Sequence, residues 1–570
     1  MNYWDVIIVG AGAAGLTAAR HARAQGASVL VVNKGLVGRS GASITSGGGV
    51  SAAGRTLVSL GYDADPEDTE ERFLQDTIRS GRFLCDQYLV DSMVRGVGEE
   101  IRYLRDAGVV PRFRKRPPGH TSGRGVGIPG TEMQRAVTSH ALNAGARFLE
   151  DFQSAGLLTY GGAVVGVAGL DRRTGDVEAV YGRTVILATG GTTSNWRLRT
   201  APEELTGDGH AMALRVGAEL IDMEMLQFLP CCLAAPEIWR GLQFPWTIGP
   251  QAGMRAWLLN KYGERFLARW DPERMELATR DVVAAASALE VLEGRGSPSG
   301  GVYLSWAHLP RDIIENFPRW ARGYSQDWHW QGFDMSPLIE RVKAGYAIEV
   351  APAAHFSLGG IRIDASGATN VRGLFACGEA TGAVHGSNRL SGNAGAQVLV
   401  QGREAGLAAA RAAAESGSHP GEAENYKELK EKIEAPWHRD HGESPGEIKQ
   451  RLTTLAETAL GPIRNGKALE KARAELRDIR ENALPRLAVR SRDRGYNRDW
   501  SEALECEAGL LVLEAALLGA IERKSSIGAH QRQDSVQEDA QLHHSVTFCS
   551  GDSVALRKRA VEFPYLTPAA

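Results

Sequence analysis

The chain has 570 residues and a formal net charge of −3, so it has room for two to four domains and a large core. Near-balanced charge argues against a nucleic-acid or polyanion partner. The 6 cysteines (Cys85, Cys231, Cys232, Cys377, Cys506 and Cys549) form no CxxC pair, so no metal or iron–sulfur ligand set is visible, and vicinal Cys231 and Cys232 read as buried thiols rather than a redox pair.

The chain opens directly on a strand pattern, with no basic segment or signal core before it. Residues 6–9, VIIV, are an apolar run of the length of a buried parallel strand. They lead into GAGAAG at residues 10–15, an Ala-rich helix without a breaker before Gly26, and a second apolar run at residues 29–32. Strand, glycine turn, helix and strand make one βαβ unit of dinucleotide-binding type. Gly10 allows the tight turn, Gly12 lets a pyrophosphate approach the backbone, and Gly15 lets helix and strand pack closely. The helix opens at Ala13 and Ala14, where free N–H groups and partial positive charge face the phosphates. The second strand ends at Asn33 and Lys34 instead of the usual acid; Asn33 can still hydrogen-bond a ribose, but without charge.

Residues 38–49, rich in Gly and Ser, cannot build a core and read as backbone wrapping a flat cofactor ring. Residues 66–107 read as helices, residues 112–130 as a basic Pro/Gly-rich loop, and residues 131–144 as another helix. Residues 163–171 and 177–187 look like a β-meander that ends in Thr189, Gly190 and Gly191, and a helix starts near Asp208. From residue 236 to 345 tryptophan is frequent and the βαβ rhythm stops, which reads as an inserted domain. Strand–glycine–helix texture returns at residues 351–410. Residues 422–524 are charged and helical, as in an antiparallel bundle, and the tail from Ser525 is polar and reads as extended. The longest apolar stretch, residues 510–521, is too short to span a bilayer and carries Glu514, so the sequence predicts a soluble cytoplasmic protein.

Several of these blocks together form a set: GAGAAG, ATGG at residues 188–191, HFSLGG at 355–360, GLFACGE at 373–379 and HGSNRLSGN at 385–393. In this order they resemble the flavoprotein subunits of succinate dehydrogenase and fumarate reductase and the related L-aspartate oxidase. LLNKYGERF at 258–266, the Arg280-Asp281 pair and SIGAHQR at 526–532 look like further blocks of that family. The resemblance implies an α/β fold: a two-piece Rossmann-like FAD-binding domain (residues 1–235 and 346–415), an inserted α+β capping domain (236–345) and a C-terminal helical domain with tail (416–570). It also implies FAD. Gly10, Gly12, Ala13, Ala14 and Gly15 would then hold the pyrophosphate, and Asn33, Lys34 and Asp208 lie in the expected cofactor-binding set. Ser40, Gly41, Gly47 and Gly48 would line the flavin, and Thr189, Gly190 and Gly191 would sit near pyrophosphate and ribityl chain. Glu379 would bind ribityl hydroxyls, with Leu390, Ser391 and Asn393 under the ring.

The departures from the family bear on chemistry. Respiratory members attach FAD through a histidine in a Ser-His-Thr segment; here that position is Gly41, so non-covalent FAD is expected. Leu229 stands where the family has a substrate histidine. Counting back from the LLNK block without gaps, Ile248 and Gly249 replace a Thr-Glu pair and Ala252 replaces a proton-shuttle arginine. A three-residue gap would instead bring Arg255 onto the shuttle position. His355 and Arg389 remain as catalytic candidates. Arg389 can clamp a carboxylate bidentately or polarise a carbonyl, and His355 can donate to the same group. A pocket made apolar by Leu229, Ile248 and Ala252 suits a substrate with one anionic or carbonyl end and an apolar body, such as a cyclic keto acid. The expected reaction is desaturation of a CH–CH bond next to a carbonyl or carboxylate, or its reverse. Tyr262, His210 and Arg255 are unranked acid/base candidates. The acceptor would be O2, a quinone or an electron-transfer protein. A succinate dehydrogenase or fumarate reductase flavoprotein, an aspartate oxidase and a non-enzymatic flavin-binding protein stand as alternatives.

Overall fold

The computed structural model describes residues 3–47, 49–114, 119–244, 255–316, 335–416, 422–534, 541–551 and 553–568. Its central sheet starts from the opening strand, Tyr3–Val9, which pairs in parallel with Val29–Val32 on one side and Asp176–Leu187 on the other. Val6, Ile7 and Ile8 are fully buried, as a strand covered on both faces requires. Arg147–Leu149 extends the sheet beyond Val29–Val32, and Leu374–Ala376 returns from far along the chain to pair in parallel with Asp176–Leu187. Ala163–Asp171 and Phe152–Tyr160 complete it as an antiparallel meander. Helix Ala13–Ala24 buries Ala13, Ala14, Ala18, Ala19 and Ala22, so its small side chains let it lie close on this sheet.

A second sheet is antiparallel, in the order Leu226–Leu233, Ile348–Ser357, Val302–Ser305 and Trp257–Leu259. It has its own apolar cluster, which includes Leu229, Leu258, Leu304, Trp306 and Val350. The inserted segment thus shares its sheet with the two strands that lead into and out of it: the 3-residue and 4-residue strands inside the insert gain partners that a two-stranded ribbon would lack. Helix Arg280–Leu292 carries a residue of the site on its first turn.

Helices Tyr426–His438, Pro445–Ala459, Gly466–Asp478 and Arg498–Glu522 follow. Trp500 is fully buried, stacks on Trp437 at 5.8 Å and donates through Nε1 to the Ile433 carbonyl at 2.8 Å.

The tail differs from the extended polar segment that the sequence suggests. His543–Ser550 and Ser553–Ala560 form an antiparallel hairpin that joins Leu220–Ile221 and Gly360–Ile361 in a third sheet. Its inward residues include His543, His544, Ser545 and Thr547, polar side chains with little hydrophobic signature. They are buried because partners await them: His544 Nδ1 lies 2.6 Å from Asp222, and the Ser545 N–H donates to the same carboxylate at 2.9 Å. Arg523 lies against Asp222 and Glu224, and Arg464 donates to the Glu224 carbonyl and faces His530. Among the described residues, no helix is long and apolar enough to cross a membrane.

Candidate active site

The glycine turn is built as a cradle. Gly10 has φ +109°, and a Cβ there would meet the Ala188 carbonyl oxygen at 2.3 Å. A Cβ on Gly15 would stand 2.0 Å from the Gly10 oxygen, so strand and helix approach too closely for any side chain. Ser43 Oγ accepts from the Ala13 N–H at 3.0 Å. Gly190 follows the end of the third parallel strand with φ +74°, and the buried Thr189 hydroxyl before it has no partner. A buried hydroxyl beside this turn with no partner within the chain fits a polar cofactor.

The adenosine-side expectations look different in place. Both ends of the Asn33 amide are engaged within the chain: Oδ1 accepts from the Ala11 N–H at 2.9 Å, and Nδ2 donates to the Gly35 carbonyl at 2.8 Å and to Ser40 Oγ at 3.1 Å. Asn33 therefore ties the turn to the following loop. Lys34 contacts Asp208 at 2.9 Å and Glu505 at 2.7 Å. Burial opposes its charge, but those two carboxylates outweigh it and hold the ammonium above its ordinary range. Lys34 thus ties the end of the second strand to helix Arg498–Glu522 through Glu505, and to Asp208 beside it. Gly41 has φ +81° and open space where a side chain would stand. Gly47 belongs to the same loop; Gly48 lies outside the described residues.

On the other side, a Cβ on Gly191 would meet Glu379 Oε1 at 2.3 Å. Glu379 accepts from the Ser357 N–H at 3.0 Å; burial pushes its carboxyl up to about 7, with that N–H and Arg389 pulling the other way. The main chain after Arg389 is held firmly: the Ser391 carbonyl accepts from Ser51 Oγ at 3.0 Å and lies 2.9 Å from His120 Nε2. Leu390 is buried. Asn393 opens helix Asn393–Glu415, donates to Thr77 Oγ1 at 3.1 Å and leaves its buried Oδ1 without a partner.

His355 and Arg389 lie near one another, and Arg280 adds a second positive charge beside them. Arg389 is 6% exposed, with its guanidinium carbon 4.4 Å from the Phe356 ring centroid. His355 precedes that ring, and its Nδ1 lies 2.7 Å from Thr200 Oγ1. Arg280, which the sequence marks only as part of a family block, donates to Gln227 Oε1 at 3.1 Å, while Gln227 Nε2 donates to the Arg389 carbonyl at 2.9 Å. Burial, then the Arg280 charge, depresses Arg389, with Glu379 acting the other way. Burial, then the charges of Arg389 and Arg280, holds His355 well below its usual range, so its imidazole is neutral. Buried Arg389 and partly buried Arg280 thus place two positive charges near one neutral imidazole.

The remaining expectations fall elsewhere. Leu229 is 1% exposed and belongs to the apolar cluster of the second sheet. Ile248, Gly249 and Ala252 lie outside the described residues. Arg255 lies 3.9 Å from Glu276, a buried carboxylate that also receives Arg265 Nε at 2.8 Å. Tyr262 is 66% exposed. His210 is fully buried with both ring nitrogens unpartnered, and burial pushes it down to about 4.

Residues 5–394 match the family described as FAD binding domain, and residues 449–570 match fumarate reductase flavoprotein C-term. The chain is 34% identical to one of the subunits of the fumarate reductase (CoM/CoB) of Methanothermobacter marburgensis, over 93% of this chain and 94% of that one. It is 32% identical to L-aspartate oxidase of Streptomyces coelicolor, over 94% of this chain and 89% of that one. Among solved structures, Sdh1 of Mycobacterium smegmatis in complex with UQ1 superposes with a TM-score of 0.86 at 30% identity, over 99% of this chain and 95% of that one. The cradle, the orphan hydroxyl and these matches agree: the chain is an FAD-dependent oxidoreductase and belongs to the succinate dehydrogenase and fumarate reductase flavoprotein family.

Proposed function

We propose that the enzyme interconverts a CH–CH bond and a C=C bond next to a carboxylate, with that carboxylate received by Arg389 beside Arg280 and His355. One observation carries this reading: Arg389 is buried, its Nε has no partner, and the charges acting on it include a second arginine. An anionic group of the substrate would offset the repulsion between these two charges and partner the free donor. Bound FAD supplies the hydride acceptor or donor. Arg389 orients the substrate and withdraws charge from the carbon next to the carboxylate. Neutral His355, held by Thr200, shares a hydrogen bond with the same end of the substrate. Arg280, on the first turn of its helix, is our assignment for the group that moves the proton, in place of Ala252 or Arg255.

The position where the resemblance expects a substrate histidine is Leu229, which is buried in the apolar cluster of the second sheet; the far end of the substrate therefore lacks that polar partner, which favours an apolar body such as that of a cyclic keto acid. In this reading FAD is bound non-covalently, and Gly10, Gly12, Ala13, Ala14, Gly15, Thr189, Gly190, Gly191, Glu379, Ser391 and Asn393 hold it. Anaerobic titration of the oxidised enzyme tests the substrate. We expect bleaching by a saturated cyclic keto acid such as 4-oxocyclohexanecarboxylate; bleaching by succinate alone would overturn the apolar-body reading. The second reading, a dicarboxylate such as fumarate or succinate, is favoured by the two guanidinium groups and by the names of the relatives. The same titration decides between them. Comparing reoxidation by O2 with reoxidation by a soluble quinone then separates the acceptors.

A further inference from the structure

Among the described residues, no carboxylate contacts the guanidinium of Arg389. Among the contacts described, Nη1 reaches the Leu390 carbonyl at 3.5 Å and the guanidinium carbon lies 4.4 Å from the Phe356 centroid, while Nε has no partner. A carboxylate would also hold the group, but it would occupy the in-plane N–H donors and cancel the charge. An aromatic face attracts the cation from above its plane and leaves those donors available.

Phe356 is itself supported. His385 meets its ring edge-on at 5.6 Å. The ring belongs to an apolar cluster with Leu84, Met225 and Val561, and Phe563 packs against that cluster. Val561 and Phe563 lie after the last strand, Ser553–Ala560. Their segment is gripped at its far end by Gln87, 1% exposed at the start of helix Gln87–Asp106. Gln87 Oε1 accepts from the N–H groups of Tyr565 and Leu566, both at 2.9 Å, and Nε2 donates to the Leu566 carbonyl at 2.7 Å. All the hydrogen-bonding capacity in use here is spent on main chain, so the grip fixes the course of the segment whatever its side chains.

From this geometry we infer that Phe356 is a positioning residue for the substrate carboxylate, and that residues 561–566 form a strap that seats it. The inference rests on the reading that Arg389 receives a carboxylate. It assigns to the C-terminal segment a part in substrate affinity.

The test uses full-length, FAD-loaded enzyme and the flavin difference spectrum, titrated with fumarate, succinate and 4-oxocyclohexanecarboxylate; the probe that wild type binds best is then followed. Phe356→Leu keeps most of the volume without the ring face. It should weaken that probe at least about tenfold with FAD content and unfolding midpoint retained. Phe356→Tyr restores the face and should stay within about threefold of wild type. Phe563→Ala, in the strap and away from the anion, should weaken the same probe about threefold. Wild-type affinity in Phe356→Leu, or an equal loss in Phe356→Tyr, overturns the proposal. If Phe356→Leu does not accumulate, Phe563→Ala decides: weaker binding supports the strap, and unchanged binding overturns it. Arg389→Gln separates the underlying reading. If that variant binds the probe as wild type does, or if wild type binds none of the three, it is the assignment of Arg389 that falls.

Discussion

Gln227 Oε1 accepts a hydrogen bond from Arg280 at 3.1 Å while the same side chain's Nε2 donates to the main-chain oxygen of Arg389 at 2.9 Å. One neutral amide, 1% exposed, thereby sets the spacing of two like charges contributed by distant parts of the chain. Gln227→Glu preserves shape but turns the donor into an acceptor facing a carbonyl, and places an anion where the substrate's carboxylate is wanted. We expect carboxylate affinity to fall by about 2–5 kcal/mol with FAD content unchanged. Flavin-monitored titration beside cofactor analysis checks both halves. Wild-type affinity in the variant would show that the amide does not organise the pair.

The pH dependence of binding should come from Glu379 and not from His355. Glu379 titrates near 7 because burial resists its charge. Below that pH it is neutral, and above it a carboxylate sits in the electrostatic neighbourhood of Arg389. Anionic substrates should therefore bind more weakly as pH rises through about 7. His355, held neutral by burial and by two arginines, adds no step near its ordinary value. Dissociation constants measured across this range, at saturating FAD, should show one limb, and Glu379→Gln should remove it.

Gly41 has no nucleophile to offer, and a side chain at its place would meet nothing within 4 Å. We expect acid or heat precipitation to release unmodified FAD into the supernatant. Flavin that stays with the precipitated chain would contradict this.

Arg124 is the clearest stability element outside the site. It is fully buried, with Asp68 receiving Nε at 2.7 Å and Nη2 at 2.5 Å, and Asp76 receiving Nη1 at 2.5 Å. Removing the cation strands two buried carboxylates. Arg124→Ala should cost about 3–5 kcal/mol of stability, read from the shift of a denaturant midpoint.

Much of this is legible in sequence where local pattern and structure share a cause. The first strand, glycine turn and helix are short-range, and a 4-residue apolar run next to GAGAAG leaves little choice. His355 and Arg389 are marked by the motifs that carry them, and the structure joins them in one site. Arg280 is not marked as their companion, because nothing local distinguishes an arginine at a helix start that reaches a remote strand from one that faces solvent. Its only signal is the Arg280-Asp281 pair, whereas a three-residue gap before the LLNK block points to Arg255, which the structure places beside Glu276. Arg124 shows the same difficulty: nothing in its basic loop marks it as buried, and only the folding of helix Glu70–Ser80 supplies Asp76. The tail hairpin escapes such a reading because buried His544 and Ser545 are made tolerable by Asp222, a partner no hydropathy pattern reveals.

The third sheet sets a condition on how this protein is made. Leu220–Ile221 pairs with His543–Ser550, and Asp222 and Glu224 find Arg523, His544 and Arg464 only in the last part of the chain. On the ribosome the first two-fifths of the polypeptide emerge long before these partners exist. Two buried-type carboxylates and an open strand edge then wait in water until synthesis is nearly complete. Such long-range closure is slow and leaves partly folded chains exposed to association. A truncated transcript that ends before the hairpin should yield a protein that retains the glycine cradle in its sequence yet never seals, and that is cleared or aggregates instead of accumulating as a smaller flavoprotein.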